Sequence, residues 1–288
     1  MYVPDNQTDL LQYLDQHQAR IQLIANGSDL INRIHRKQVE AKQLVDLSGL
    51  TELSYVRKDG DVVRIGAMTT MAELAASPIL DSKYKGFREV TATFGGPSIV
   101  NVATVGGNIC SASSSEDLLP LLLVLDAEVR LRSTKGDRVM RLEEFVKGKR
   151  SVNLRPNEIM VETSFRELPE NARCAFEKVG MRNSLITAFV NCAVYLKLAK
   201  TRQIEDIRIG FNRISGKIPS RARKTEELLR AQKLDEKILA DAAVTLRHEL
   251  HLTSDFRASE EYRVETACAI FKRTLTRCAE ELGEKISV

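Results

Sequence analysis

Between Phe94 and Ala127 the chain runs Phe-Gly-Gly-Pro-Ser-Ile-Val-Asn-Val-Ala-Thr-Val-Gly-Gly-Asn-Ile-Cys-Ser-Ala-Ser-Ser-Ser-Glu-Asp and then Leu-Leu-Pro-Leu-Leu-Leu-Val-Leu-Asp-Ala. These residue types suit a seat for phosphate. Gly106 and Gly107 can take positive φ and let the backbone approach a ligand closely, and successive backbone N–H groups in such a turn form a concavity for anions. Asn108 adds a side-chain amide. Thr104, Ser111, Ser113, Ser114 and Ser115 add hydroxyls without charge. Asp117 opens the apolar run, where a carboxylate suits a helix start or a ribose hydroxyl better than general-base work. Gly-Gly by itself favours a plain turn between a strand and a helix. A second candidate precedes it: the strand-like Ile21-Gln-Leu-Ile-Ala25 feeds Asn26-Gly27-Ser28-Asp29-Leu30 and then a helix, the same geometry for holding an anion.

Other chemistry is poorly represented. His248-Glu-Leu-His251 is one residue short of the His-Glu-x-x-His spacing of a metalloprotease and reads as a solvated helix end. The serines lack a nucleophile-elbow pattern and a paired His. The five cysteines (Cys110, Cys174, Cys192, Cys268, Cys278) have no C-x-x-C spacing, so neither a disulfide framework nor a zinc or iron–sulfur site is expected. Cys110, beside the Gly-Gly loop, defaults to a small buried hydrophobe. No G-x-G-x-x-G follows a strand, so a Rossmann site is not supported. No catalytic or metal-ligating residue emerges.

The elements that must position the two turns follow from local pattern. Thr8 can cap a helix that ends near His17, with Leu10, Leu11 and Leu14 on one face. Lys58-Asp-Gly-Asp is a hairpin turn before the strand Val62-Val-Arg-Ile-Gly-Ala. Thr70-Met-Ala-Glu73 is a capping box for a helix over Met71 to Ala76. Phe87, Val90 and Phe94 space another helix that Gly95 can end. Glu128 to Arg132 and Arg138 to Leu142 flank a hairpin turn at Lys135-Gly-Asp, and a further strand runs through Ile159 and Met160. A polar, Pro-containing connection at Arg166 to Arg173 marks the domain boundary. Beyond it, Phe176 to Arg182, Leu185 to Leu198 and Glu205 to Phe211 suggest a sheet. Thr225 to Gln232 and Glu236 to His251 are helical, and Val264, Ala267, Cys268, Phe271, Leu275, Cys278 and Leu282 form the apolar face of a last helix.

At 288 residues the chain can hold two modest domains. Its 43% hydrophobic and 28% charged residues are ordinary for a soluble globular protein, and the absence of Trp predicts aliphatic cores. The net charge of +4 is spread out, and its short basic runs, Lys147-Gly-Lys149-Arg150 and Arg221-Ala-Arg223-Lys224, lack interleaved aromatics. Solvated loops explain them better than nucleic acid. No apolar stretch approaches the ~20 residues of a membrane span. The N-terminus resembles neither a signal nor a transit peptide, which predicts a cytoplasmic protein.

The order Thr104-Val105-Gly106-Gly107-Asn108, Asp117, Pro120 and Leu125-Asp126-Ala127 resembles the flavin-binding (medium) subunit of the molybdenum hydroxylases, the xanthine dehydrogenase and carbon monoxide dehydrogenase family. Ala25, Gly27, Asp29 and Leu30 match that family's other flavin signature, Ala-Gly-Gly-Thr-Asp-Leu. Ser28 replaces its Thr, and Asn26, tolerant of a left-handed conformation, replaces its first Gly. Ile99-Val100-Asn101 departs from the usual Ile-Arg-Asn. Lys178 and Arg182 resemble the Lys-x-x-x-Arg segment, and Asp255-Phe-Arg257-Ala258-Ser259-Glu-Glu-Tyr262-Arg263 resembles the C-terminal signature.

The resemblance implies an α+β fold. Residues 1–168 would be a two-lobed FAD-binding domain of the vanillyl-alcohol-oxidase (PCMH) type, with lobes of about 1–55 and 56–168. Residues 174–288 would be a C-terminal α+β domain with a small, three-stranded antiparallel sheet and helices. It further implies non-covalent FAD, with Ile24, Ala25, Asn26, Gly27, Ser28, Asp29 and Leu30 and with Ala103, Thr104, Gly106, Gly107 and Asn108 cradling the pyrophosphate. Cys110 and Asp117 would lie near the adenosine half, and Phe94, Met160 and Lys178 nearest the flavin ring. There Lys178 would either stabilise negative charge on reduced flavin or stand as a surface residue of a strand. Molybdopterin and [2Fe–2S] clusters would belong to a large and a small partner subunit, and NAD or another acceptor would take the electrons. Two alternatives remain open: a stand-alone flavin reductase of the same superfamily, and a flavin-free assembly subunit.

Overall fold

Strand-period and helix-period apolar patterns sort the chain into three packed parts. The structure, a computed structural model, describes residues 1–17, 21–40, 42–80, 82–181, 187–212 and 219–285. Arg182 and Leu185, used in the sequence reading, lie outside them.

The first lobe holds α1 (Gln7–Gln16), β1 (Ile21–Ile24), α2 (Leu30–His35) and β2 (Gln43–Asp46). β1 and β2 pair in parallel, and Tyr2 extends the ladder beside Val45. α1 is capped by Asn6, whose side chain accepts from the N–H of Asp9, and not by Thr8. Both are good caps, and the extended backbone at Asn6 decides between them.

The second lobe begins with the hairpin β3 (Val56–Asp59) and β4 (Val62–Gly66), then α3 (Met71–Ala76), α4 (Lys85–Phe94), α5 (Pro97–Val100), α6 (Val105–Ser111) and α7 (Leu118–Val124). Strands β5 (Glu128–Ser133) and β6 (Gly136–Arg141), the short α8 (Leu142–Phe145), β7 (Val146–Gly148), β8 (Ser151–Val152) and β9 (Ile159–Arg166) complete it. Its antiparallel sheet has the order β3-β4-β9-β5-β6. Thr70 and Glu73 form both halves of the capping box on α3. Strand β9 divides the lobes: Ile159 and Val161 pack with Leu10, Leu14 and Val45 of the first lobe, whereas Met160 belongs to the core of the second. That is the period-2 consequence of a strand buried on both faces.

The last part contains β10 (Ala172–Val179), β11 (Val190–Leu198), β12 (Ile204–Phe211) and β13 (Ser220–Arg221), with α9 (Arg223–Leu229), α10 (Glu236–Glu249) and α11 (Glu260–Glu281). Its sheet is antiparallel and four-stranded, not three-stranded; the fourth strand, of two residues, is too short to leave a sequence pattern. Both faces are covered. Cys174, Phe176, Ala193 and Tyr195 join the core of the second lobe, while Ala175, Cys192, Val194 and Leu196 pack with Leu246, Phe271 and Cys278. Every residue of α7 is buried, because it is wedged between these two parts and has no solvent side.

Candidate functional site

A cleft of about 540 Å³ runs between the two lobes of the N-terminal part. The β1–α2 turn and the start of α6 form much of its wall: Ile24 to Leu30 line it, as do Thr104, Gly106, Gly107, Cys110 and Met160.

At the β1–α2 turn, Gly27 has φ +78°, a conformation that disfavours any side chain, and an added Cβ would stand 2.8 Å from Ile31 Cγ1. Asn26 is not left-handed. It is instead committed across the cleft, where its Nδ2 donates to the carbonyl of Val102 at 2.9 Å. The backbone N–H groups of Asn26, Gly27, Ser28, Asp29 and Leu30 find no acceptor among the described residues. These consecutive N–H groups at a helix start are left available to a ligand's acceptor atoms.

The Gly-Gly loop differs from the expected open turn. Neither Gly106 nor Gly107 has positive φ; both lie in the first turn of α6. Their N–H groups are consumed within the chain. Val105 N donates to Thr69 O (2.9 Å), Gly106 N to Ala67 O (2.8 Å), Gly107 N to the N-cap hydroxyl of Thr104 (3.0 Å) and Asn108 N to Thr104 O (2.9 Å). Glycine at 106 is a packing requirement, since a Cβ would meet the carbonyl and Cβ of Ala67 at 2.8 Å. At Gly107 a Cβ would touch only Thr104 Oγ1, and the remaining space belongs to the cleft. The loop therefore brings a smooth backbone wall to the cleft, while the free donors come from the other turn.

Cys110 and Met160 lie together, Sγ to Sδ 3.8 Å, as an apolar patch of the wall. Burial pushes the Cys110 thiol up to about 12, so it stays neutral and unreactive.

Phe94, Ala103, Asn108, Asp117 and Lys178 are not among the residues lining this cleft. Ala103 is buried in the second-lobe core, and Phe94 packs against it from the end of α4. Asn108 turns inward. Its Nδ2 donates to the Glu116 carboxyl, and its buried Oδ1 has no partner among the described residues. Lys178 is neither on the surface nor toward the cleft. Its side chain is 1% exposed, and Nζ donates to Asp117 Oδ2 and to the carbonyl of Thr93, each at 2.6 Å. Asp117 also accepts from Asn191 Nδ2 at 2.9 Å. Burial pushes the Asp117 carboxyl up, and Lys178 and Asn191 pull it back down. The physical reason is economy of charge: a buried ammonium needs a buried partner.

Two residues that sequence reasoning did not single out matter here. Arg150, placed there among solvated loops, holds Asp29 with both guanidinium arms, Nη1 to Oδ2 at 2.6 Å and Nη2 to Oδ1 at 3.0 Å. Glu116 accepts from Ser111 Oγ as well as from Asn108. Burial pushes its carboxyl up to about 8; Asp29 and Asp117 reinforce the rise, against Ser111 and Arg150. A carboxyl raised from its ordinary 4.5 contributes stability fully below about pH 4.5 and loses it as pH climbs through about 8. Glu116→Gln should therefore flatten the fall of thermal stability between pH 5 and pH 8. Melting temperatures across that range test it, and an unchanged slope would clear Glu116 of the effect.

A second, polar cleft of about 480 Å³ adjoins the first at Arg33. Arg33, Lys149, Arg150 and Arg257 surround it with Ser113, Ser114 and Ser115, an arrangement that favours anions.

Residues 1–165 match the family described as "FAD binding domain in molybdopterin dehydrogenase", and residues 175–278 match "CO dehydrogenase flavoprotein C-terminal domain". The chain is similar to the xanthine dehydrogenase FAD-binding subunit of Escherichia coli O157:H7, 27% identical over 275 residues, covering 94% of this chain and 92% of that protein. It is likewise similar to the nicotinate dehydrogenase FAD-subunit of Eubacterium barkeri, 27% identical over 278 residues and covering 95% and 92%. Among solved structures, a chain of the reconstituted CO dehydrogenase from Oligotropha carboxidovorans superposes with a TM-score of 0.91 at 25% identity, covering 97% of each chain.

Proposed function

The chain belongs to the FAD-binding subunits of the molybdenum hydroxylases, and from that premise we propose that it accepts electrons from an iron–sulfur partner and passes them to NAD or another acceptor. The observation that carries the reading is the cleft between the lobes, with its run of unpaired backbone N–H groups at Asn26 to Leu30. A dinucleotide fits what is there: free donors for phosphate oxygens, a Gly107 wall without a side chain, and an apolar floor at Cys110 and Met160.

Residues 1–168 then act as the FAD-binding domain, with lobes of about 1–55 and 56–168, and residues 174–288 as the second domain. FAD supplies the reversible electron transfer, the chemistry that no side chain of this protein can provide. The protein's part is to bind and orient it. The N–H groups of Asn26 to Leu30 hold the pyrophosphate in a fixed place, so no donor has to reorganise. Ile24, Cys110 and Met160 keep water from the apolar end. The basic second cleft supports an anionic acceptor, as NAD is, approaching beside the first. Among the described residues no group of three or more His, Cys, Asp or Glu could hold a metal. Family membership supports assigning molybdopterin and [2Fe–2S] chemistry to a large and a small partner subunit. The similar Escherichia coli protein is itself named a subunit, which supports partners for this chain.

Purified protein should be yellow and release FAD, not FMN, into the supernatant on acid precipitation. Colour that stays with the pellet would contradict non-covalent binding. A colourless protein that cannot be reconstituted with FAD would favour the assembly-subunit alternative.

A further inference from the structure

We propose that Arg150 is a positioning residue for FAD, acting through Asp29: the ion pair is a clasp across the cleft that holds the β1–α2 turn at the width the dinucleotide requires. The inference rests on the FAD reading above.

Three observations point to it. First, Asp29 stands at the N-cap of α2, yet its side chain makes no cap hydrogen bond to that helix. It is turned instead to the opposite lobe, where Arg150 takes both carboxylate oxygens. An Asp at a helix start that forgoes its cap has been recruited elsewhere. Second, Arg150 is held in a costly backbone conformation. It has φ +59° in the turn between β7 and β8, and its N–H donates at 2.8 Å to the carbonyl of Ala112, itself left-handed at φ +43°. Non-glycine residues keep such conformations only where the surroundings over-determine them. Nη1 reaches the carbonyl of Ser111 as well, at 3.3 Å, so one guanidinium joins the end of α6 to the turn of the other lobe.

Third, the lobes are attached unevenly. On the α1 side they share an apolar core containing Met68, Ile159 and Val161. At the turn, the bonds to the second lobe among the described residues are those of Asn26 to Val102 and Asp29 to Arg150. A cleft packed along one edge and joined by polar bonds along the other opens at the polar edge. The pair is also partly solvated, with 29% and 38% side-chain exposure, so it is weak enough to open and is screened by salt. Arg33, 3.8 Å from Asp29 Oδ2, adds a second and more distant cation.

The test measures FAD release by the recovery of flavin fluorescence from Arg150→Gln, Asp29→Asn, the double variant and Arg150→Lys, together with hydrogen exchange in each apoprotein of amides 31 and 33, which are bonded to the carbonyls of Gly27 and Asp29. Release should rise about two- to fivefold in either single variant and no further in the double. The difference should vanish at about 1 M salt. Exchange at amides 31 and 33 should quicken, and Arg150→Lys should restore part of the retention. A merely structural role for Arg150 would not give a non-additive, salt-sensitive release rate. Unchanged release in Arg150→Gln, or additive effects in the double variant, overturns the clasp. A wild-type protein that takes up no FAD overturns the functional reading and the flavin half of this proposal. The exchange data then still separate a clasp between the lobes, faster in Arg150→Gln, from none, where the rates match.

Discussion

Lys178→Met should destabilise the protein by about 3–5 kcal/mol at pH 7, the cost of leaving a buried charge without its partner. Lys178 and Asp117 side chains are 1% and 4% exposed, and 2.6 Å separates Nζ from Oδ2. The pair anchors a longer chain of buried polar groups. Asn191 donates to Asp117, its Oδ1 accepts from Asn212 N at 3.2 Å, and Asn212 Nδ2 donates to the carbonyl of Glu116 at 2.8 Å. These bonds tie α7 and the loop before it to β10, β11 and the end of β12.

Methionine fills the space of the lysine stem but offers no cation, so Asp117 must remain charged and uncompensated or take up a proton. Its carboxyl, already pushed up by burial, rises further without Lys178. The sign follows. In the variant, Asp117 binds its proton more tightly folded than unfolded. The deficit is therefore smallest below the ordinary carboxylate value of 3.8 and grows as pH rises through the raised one. Urea unfolding at pH 4 and pH 7 should show the larger loss at pH 7. Adding Asp117→Leu should recover much of it, since an apolar pair of similar volume often matches a buried ion pair. A loss below about 1 kcal/mol at pH 7 would place the pair with solvent-screened ones. If the variant instead lost FAD while its apoprotein kept full stability, Lys178 would belong to the flavin and not to Asp117.

What the sequence makes legible is what short-range chemistry decides. The capping box at Thr70 and Glu73, the apolar run of α7 and the one-sided face of α11 are all written within a few residues, and each folds as its pattern predicts. The two glycine turns are also recognisable as a pair, and the structure brings residues of both to one cleft. Their internal geometry is another matter. Gly106 and Gly107 adopt helical backbone in the first turn of α6, where Ala67, on a distant segment, takes the N–H of Gly106 and leaves no room for a Cβ at 106. Asn26 stands where the family signature has glycine, and the carbonyl of Val102 accepts its amide. Arg150 and Asp29 lie 121 positions apart, and Lys178 and Asp117 61 apart. No local pattern marks either pairing. A lysine on a strand reads as exposed until the fold covers it, and an arginine in a basic turn reads as solvated until a carboxylate is brought to it. Specificity of charge placement is a tertiary property, which is why the two turns could be paired from sequence while the fate of their charged neighbours could not.

Gly107→Val should abolish FAD binding while the apoprotein stays folded. Gly107 is in the first turn of α6 with helical φ, so a side chain there is not barred by backbone strain. Valine is, if anything, a slightly better helix former than glycine. The single close contact of its Cβ is Thr104 Oγ1 at 2.8 Å, the end of a small side chain. Pushing that hydroxyl off the Gly107 N–H would cost about 1 kcal/mol of cap stabilisation, which the helix-propensity gain partly offsets. Gly107 lines the cleft, so the two methyls are expected to extend into it. A β-branched side chain standing where the dinucleotide must press against bare backbone should weaken binding about a hundredfold or more, equivalent to about 2.7 kcal/mol. Gly106→Ala supplies the contrast. Its Cβ would meet the carbonyl oxygen of Ala67 at 2.8 Å, a backbone atom that cannot swing aside, so this smaller change should lower the melting temperature of the apoprotein outright. Flavin fluorescence titrations beside thermal unfolding of both apoproteins separate the outcomes. Normal FAD affinity in Gly107→Val would mean that the dinucleotide does not lie against α6, and the site would have to move to another wall of the cleft. Unfolding of Gly107→Val together with Gly106→Ala would mean that both glycines serve packing, leaving the β1–α2 turn as the sole candidate seat for the pyrophosphate.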